Sequence, residues 1–117
     1  VDSVQSNIPN DFTLFQNYPN PFNPSTKIKF IIPPVTLRQA QSDFLVLLIV
    51  FDILGREIVT LVNEEKPAGE YEVEFNSLSG EGRNLSSGVY FYQLSIRGPE
   101  INSGQGIVQT RKMVLMK

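Results

Sequence analysis

Residues 17–26 read NYPNPFNPST, which places three of the chain's 8 prolines and three asparagines in ten positions. A helix is excluded here, because each proline removes an N–H donor and drives its predecessor away from the α region. Asn-Pro pairs open turns, and an asparagine side chain can fold back on its own backbone. The run Asn17, Tyr18, Pro19, Asn20, Pro21, Phe22, Asn23 and Pro24 is therefore predicted to be a stiff, non-repetitive crossing segment. Tyr18 and Phe22 are expected to anchor it to a core. It leads into Lys27-Ile28-Lys29-Phe30-Ile31-Ile32, where Ile28, Phe30 and Ile32 share one face and the lysines the other. That alternation is the signature of a half-buried strand.

The remainder repeats the pattern. Pro33-Pro34 stops the first strand, and Val35–Asp43 is a polar excursion with room for one helical turn within Thr36–Ser42. Leu45–Asp52 is apolar on both faces, which suits a central strand or one whose second face meets a partner. Asp52-Ile53-Leu54-Gly55-Arg56 is a turn in which Gly55 supplies a positive φ. Glu57–Val62 is expected to return as a short strand, and Asn63–Gly69 to be a loop. Tyr71, Val73 and Phe75 alternate with Glu70, Glu72 and Glu74, so the glutamates form a solvated face that also discourages edge pairing. Asn76–Ser87 is loop-like, Val89–Ile96 an aromatic strand, Arg97–Gly106 a long connection and Ile107–Met116 the last strand. About seven strands, turn signals near every ten residues and no helix predict an all-β fold, an immunoglobulin-like antiparallel β-sandwich. Turn signals do not determine the strand order.

Composition limits function. A chain of 117 residues with 41% hydrophobic and 19% charged residues is one folded domain rather than a disordered segment. Val1–Asp11 is polar and reads as a tether to something upstream; neither an initiator Met nor a signal peptide opens the chain, as expected of a processed piece. The net charge of −2 argues against nucleic acid, which calls for a basic stripe. The longest apolar run, Phe44–Phe51, is far short of the roughly 20 residues of a spanning helix, so no transmembrane segment is expected. With no cysteine and no histidine, the commonest nucleophile–base and metal-ligand arrangements are missing. The acidic residues are scattered; a calcium site built from Asp, Asn and backbone carbonyls is conceivable near Asn20, Asn23 and Asp52, though no run of alternating carboxylates supports it. No catalytic residues, no metal and no cofactor are assigned. Asn84-Leu85-Ser86 matches a glycosylation acceptor pattern, a weak signal.

Several blocks carry a resemblance in common order. After NYPNPFNPST come Val50-Phe51-Asp52-Ile53-Leu54-Gly55-Arg56-Glu57, Leu61-Val62-Asn63, Pro67-Ala68-Gly69, Asn84 to Tyr92 (NLSSGVYFY) and Gln109 to Lys117 (QTRKMVLMK). Together they resemble the type A C-terminal sorting domain of the type IX (Por) secretion system, over residues 12–117. The resemblance implies a β-sandwich that directs a covalently linked upstream cargo, through the periplasm and across the outer membrane, to the cell surface or medium. Its implied partners are the outer-membrane translocon and a surface sortase, with cleavage within or before Val1–Asp11. It assigns Asn17–Thr26 as the lead-in motif, Asp52, Gly55 and Arg56 as the hairpin motif, and Gly88 as the start of the aromatic strand. Lys112, Met113, Val114, Leu115, Met116 and Lys117 would be the terminal strand that the machinery reads. Pro33–Phe44 and Arg97–Gly106 are longer than the family's usual connections.

A second reading comes from the immunoglobulin-like domains of flagellar hook-cap proteins, which share the hairpin and the SSGVYFY-like strand. They imply a non-catalytic, fibronectin-like spacer or adhesion module. A carbohydrate-binding variant of that reading requires Tyr71, Tyr90 or Tyr92 to lie exposed as a platform.

Overall fold

The computed structural model describes residues 12–33, 44–78, 85–98 and 107–117. Seven strands lie within them: β1 (Thr13–Leu14), β2 (Ser25–Ile32), β3 (Phe44–Phe51), β4 (Glu57–Lys66), β5 (Gly69–Asn76), β6 (Gly88–Arg97) and β7 (Ile107–Leu115). They form two antiparallel sheets, β1-β2-β5 and β4-β3-β6-β7, packed as a β-sandwich. In a seven-strand immunoglobulin constant domain the fourth strand pairs with the fifth. Here β4 pairs with β3 instead, because the five-residue turn at Asp52–Arg56 folds it straight back. The all-β sandwich is as expected.

Period-two alternation decides which side chains meet. Ile28, Phe30 and Ile32 of β2 face Val46, Leu48 and Val50 of β3 and Tyr90, Tyr92, Leu94 and Ile96 of β6 in one buried cluster. Tyr90 and Tyr92 are core residues, 8% and 0% exposed, and cannot form a sugar platform. Tyr71 is half-buried, with Lys66 Nζ 4.6 Å from its ring centre. Its hydroxyl donates to the Pro67 carbonyl at 2.6 Å. β3 lies between β4 and β6, the central position that its two apolar faces predicted. Glu70, Glu72 and Glu74 of β5 are exposed as expected.

Two expectations need correction. β4 does not stop at Val62: it continues to Lys66, pairing Glu64 with Val46, Glu65 with Leu45 and Lys66 with Phe44. Polar residues need not end a strand at a sheet edge, where the side chains stay wet. Lys66 adds a 2.9 Å ion pair to Glu64, and the expected loop shrinks to Pro67-Ala68. Tyr18 is no anchor either. It is 80% exposed, whereas Phe22 is 2% exposed and packs edge-on to Phe75 with ring centres 5.9 Å apart. Tyr18 serves through its backbone, exchanging hydrogen bonds with Lys27 at 3.0 Å in each direction. The tether at Val1–Asp11, the turn at Thr36–Ser42 and the pattern at Asn84 involve residues outside the described ones.

Candidate functional site

The terminal strand is built to be half core and half surface. Met113 and Leu115 are 0% and 1% exposed in the sandwich interior, while Lys112, Met116 and Lys117 are exposed and Val114 is half-buried. On one side β7 pairs with β6 from Gly88–Leu115 to Ile96–Ile107. Its other side would be an open edge, and open edges present unpaired N–H and C=O groups.

Residues 12–22 occupy that edge. The Phe22 amide donates to the Val114 carbonyl at 2.9 Å, and the Met116 amide donates to the Phe22 carbonyl at 3.0 Å. Together these make a parallel bridge between Phe22 and Leu115. The Val114 amide donates to Asn20 Oδ1 at 3.0 Å, and Gln16 Nε2 donates to the Lys112 carbonyl at 2.7 Å. Further back, Gln109 Nε2 donates to the Phe12 carbonyl at 2.8 Å while Gln109 Oε1 accepts from the Leu14 amide at 2.9 Å. Arg111 Nε donates to the Leu14 carbonyl at 2.7 Å. Side chains of β7 thus satisfy the outer edge of β1, and the lead-in satisfies the outer edge of β7.

The lead-in is held in shape by its own polar groups. Asn17 is 2% exposed. Its Nδ2 donates to the Pro19 carbonyl at 3.1 Å and to Thr26 Oγ1 at 3.0 Å. Gln16 Nε2 donates to Asn17 Oδ1 at 2.7 Å, and Thr26 Oγ1 donates to the Pro19 carbonyl at 2.8 Å. The Tyr18-Pro19, Asn20-Pro21 and Asn23-Pro24 peptides are cis. Asn23 is exposed, and the Pro24 carbonyl accepts from the Ser77 amide at 2.9 Å.

Tyr92 fastens this segment to the four-stranded sheet. Its hydroxyl donates to the Phe15 carbonyl at 2.7 Å and accepts from the Asn17 amide at 2.7 Å. Burial of the hydroxyl pushes its pKa up to about 12, against the opposing pull of the Asn17 amide and the Arg111 charge.

The hairpin motif is self-contained. Asp52 Oδ1 accepts from the amides of Leu54 and Arg56, each at 2.9 Å, and Oδ2 accepts from Arg56 Nε at 2.9 Å. The Arg56 amide is the main reason that the Asp52 carboxyl titrates below its ordinary range. Gly55 has φ +84°, the left-handed conformation expected of it. The turn lies beside β6, where Phe51, Ile53, Gly55, Phe91 and Thr110 line a shallow depression of about 290 Å³. Gly88, with φ +151°, opens β6 directly opposite Leu115. Next to it, the Lys117 amide donates to Ser87 Oγ at 3.0 Å.

The structure therefore brings the lead-in, the start of β6 and the terminal strand together, and sets the hairpin alongside through the cross-strand row Phe51–Phe91–Lys112. Sequence reasoning missed Gln16, Tyr92, Gln109 and Arg111 as members of this cluster. A signal existed for two of them. Gln109 and Arg111 are polar at positions in register with the inward-facing Met113 and Leu115, and an inward polar residue demands a partner. Asn20 Oδ1 and both Asp52 carboxylate oxygens are engaged within the protein. Among the described residues no three acidic, His or Cys side chains gather as a metal site, and no helix is long and apolar enough to cross a membrane.

This defines a β-sandwich whose lead-in and final strand are stitched together along one edge. No family model matches the chain and no curated protein does. Among solved structures, it is similar to PorZ of Porphyromonas gingivalis, which is described as an essential bacterial surface component of the type-IX secretion system. The TM-score is 0.47 at 16% identity, covering 98% of this chain and 13% of that one. The chain thus spans a small part of that protein's length.

Proposed function

We propose that residues 12–117 form a C-terminal sorting domain of the type IX secretion system, the address that carries a linked cargo through the outer-membrane translocon to the cell surface or medium. A surface sortase would act on the chain upstream of Phe12. The domain performs no catalysis and needs no cofactor. One observation carries this reading: the Asn-Pro lead-in and the terminal strand, two of the blocks that resemble the sorting family, lie 94 positions apart yet come together, with the Gly88 block on the far side of that strand. Asn20 and Phe22 bond its outer edge, Gly88 its inner edge, and the Asp52 hairpin stands beside them. A spacer needs a stable sandwich but not this concentration of motif residues about its last strand.

The test is export of a reporter. A fluorescent protein with a signal peptide is fused to Val1–Lys117 and expressed in a host with a working type IX system. Beside it runs a variant carrying Lys112→Glu and Met116→Ser, both exposed positions, so that the core contacts of Met113 and Leu115 persist. Surface or medium fluorescence with the parent and periplasmic retention of the variant is the expected result. A folded parent that stays in the periplasm sinks the sorting reading and leaves the spacer.

A further inference from the structure

We infer that the outer backbone edge of β7, from Lys112 to Met116, is the docking surface for an extended strand of a receptor, and that residues 16–22 hold its place in the free domain. The inference rests on the sorting reading and specifies how the terminal strand is read. Strand addition needs an edge with main-chain donors and acceptors facing out. On β7 these are the Lys112 carbonyl, the Val114 amide and carbonyl and the Met116 amide. All four are taken, by Gln16 Nε2, Asn20 Oδ1 and the Phe22 main chain. A receptor strand can pair here only after they let go.

The occupant already shows what fits. Phe22 lies parallel to β7 at Leu115, and the contacts advance together along both chains, from Gln16–Lys112 through Asn20–Val114 to Phe22–Met116. A replacing strand would run in the same direction and bring one amide and one carbonyl to Val114 and Met116. Between Gln16 and Phe22 the chain gives β7 one main-chain amide, one main-chain carbonyl and two side-chain groups. A regular strand offers main-chain groups throughout and so adds contacts to β7, which must offset the burial of Phe22, 2% exposed, that release of residues 16–22 gives up. The outward side chains of Lys112, Val114 and Met116 are then positioned to select among partners. The rim of the other sheet differs: β5 presents Glu70, Glu72 and Glu74, which oppose edge pairing.

A disulfide staple tests this directly, because the chain contains no cysteine to compete. Asn23→Cys with Met116→Cys joins the next pair along from the Phe22–Leu115 bridge, at two exposed positions. Leu45→Cys with Arg97→Cys is the control, crosslinking opposed exposed residues of β3 and β6. Both are placed in the reporter fusion, oxidised in the periplasm and scored for crosslinking by gel shift. The 45–97 control should be exported like the parent, and the oxidised 23–116 staple should be exported at least tenfold less than either of its single-cysteine variants, which set the baseline for loss of the Asn23 and Met116 side chains. Export of the crosslinked 23–116 protein at the level of those single-cysteine variants, or equal retention of both staples, overturns the inference while leaving sorting intact. Retention of the parent itself removes the sorting reading and this inference with it.

Discussion

Replacing Tyr92 by Phe removes one oxygen atom and two hydrogen bonds, those to the Phe15 carbonyl and from the Asn17 amide. The ring keeps its place in the core, so no cavity opens. What remains is a pair of main-chain groups in the lead-in with no partner. An ordinary buried hydrogen bond contributes about 1 kcal/mol net, and an abandoned buried donor costs about 1–3 kcal/mol. The sum is about 2–4 kcal/mol, or a drop in Tm of about 8–16 °C for a chain of this size. Alkaline titration sharpens the test. An unfolded tyrosine loses its proton near pH 10, while the buried Tyr92 holds it to about 12. Above pH 10 the unfolded state therefore binds fewer protons, and stability falls as pH rises. By pH 11 that loss is about 1.4 kcal/mol, and the phenylalanine variant does not share it. Urea unfolding of both proteins from pH 8 to 11 should show the gap narrowing by that amount. A gap that stays constant would refute the account of Tyr92 as a buried, neutral fastener.

Substitutions at three further sites probe separate features, each read by urea or thermal unfolding. Phe22→Ala empties a ring site in the core and should cost about 3–5 kcal/mol, accompanied by faster amide exchange at Val114 and Met116. Gly98→Ala places a Cβ 2.5 Å from Phe44 Cδ1; with Phe44 only 4% exposed, the overpacking should cost about 1–3 kcal/mol. Gly55→Ala meets no neighbouring atom, so its loss of about 1 kcal/mol comes from the left-handed φ alone, and Gly55→Asn should recover part of it.

The sandwich was legible in the sequence because period-two alternation is written in side chains. Ile28, Phe30 and Ile32, or Tyr71, Val73 and Phe75, declare their inner face without reference to any other strand. The far end of β4 is not legible, because Asn63-Glu64-Glu65-Lys66 has the composition of a loop and only its pairing with β3 makes it a strand. The outward side chain of Tyr18 is not legible, because spacing within a proline-rich turn carries no periodicity from which to infer a direction. The stitching of the lead-in to β7 was illegible for a different reason. Phe22 takes part through its N–H and C=O, groups that every non-proline residue shares, across more than 90 positions of sequence. Only Gln109 and Arg111, polar on an inward register, hinted that something lay against that edge.

The parallel course of residues 12–22 and 109–116 has a mechanical consequence. If Phe12 is pulled one way and Lys117 the other, the two segments slide along each other instead of peeling apart. Gln109–Phe12, Arg111–Leu14, Gln16–Lys112, Asn20–Val114 and Phe22–Met116 then bear the load together, in shear. No single bond fails first to release the next. A force drawn along the chain axis meets the domain at its most resistant seam, whereas a strand prying at the rim from the Lys117 end engages one contact at a time.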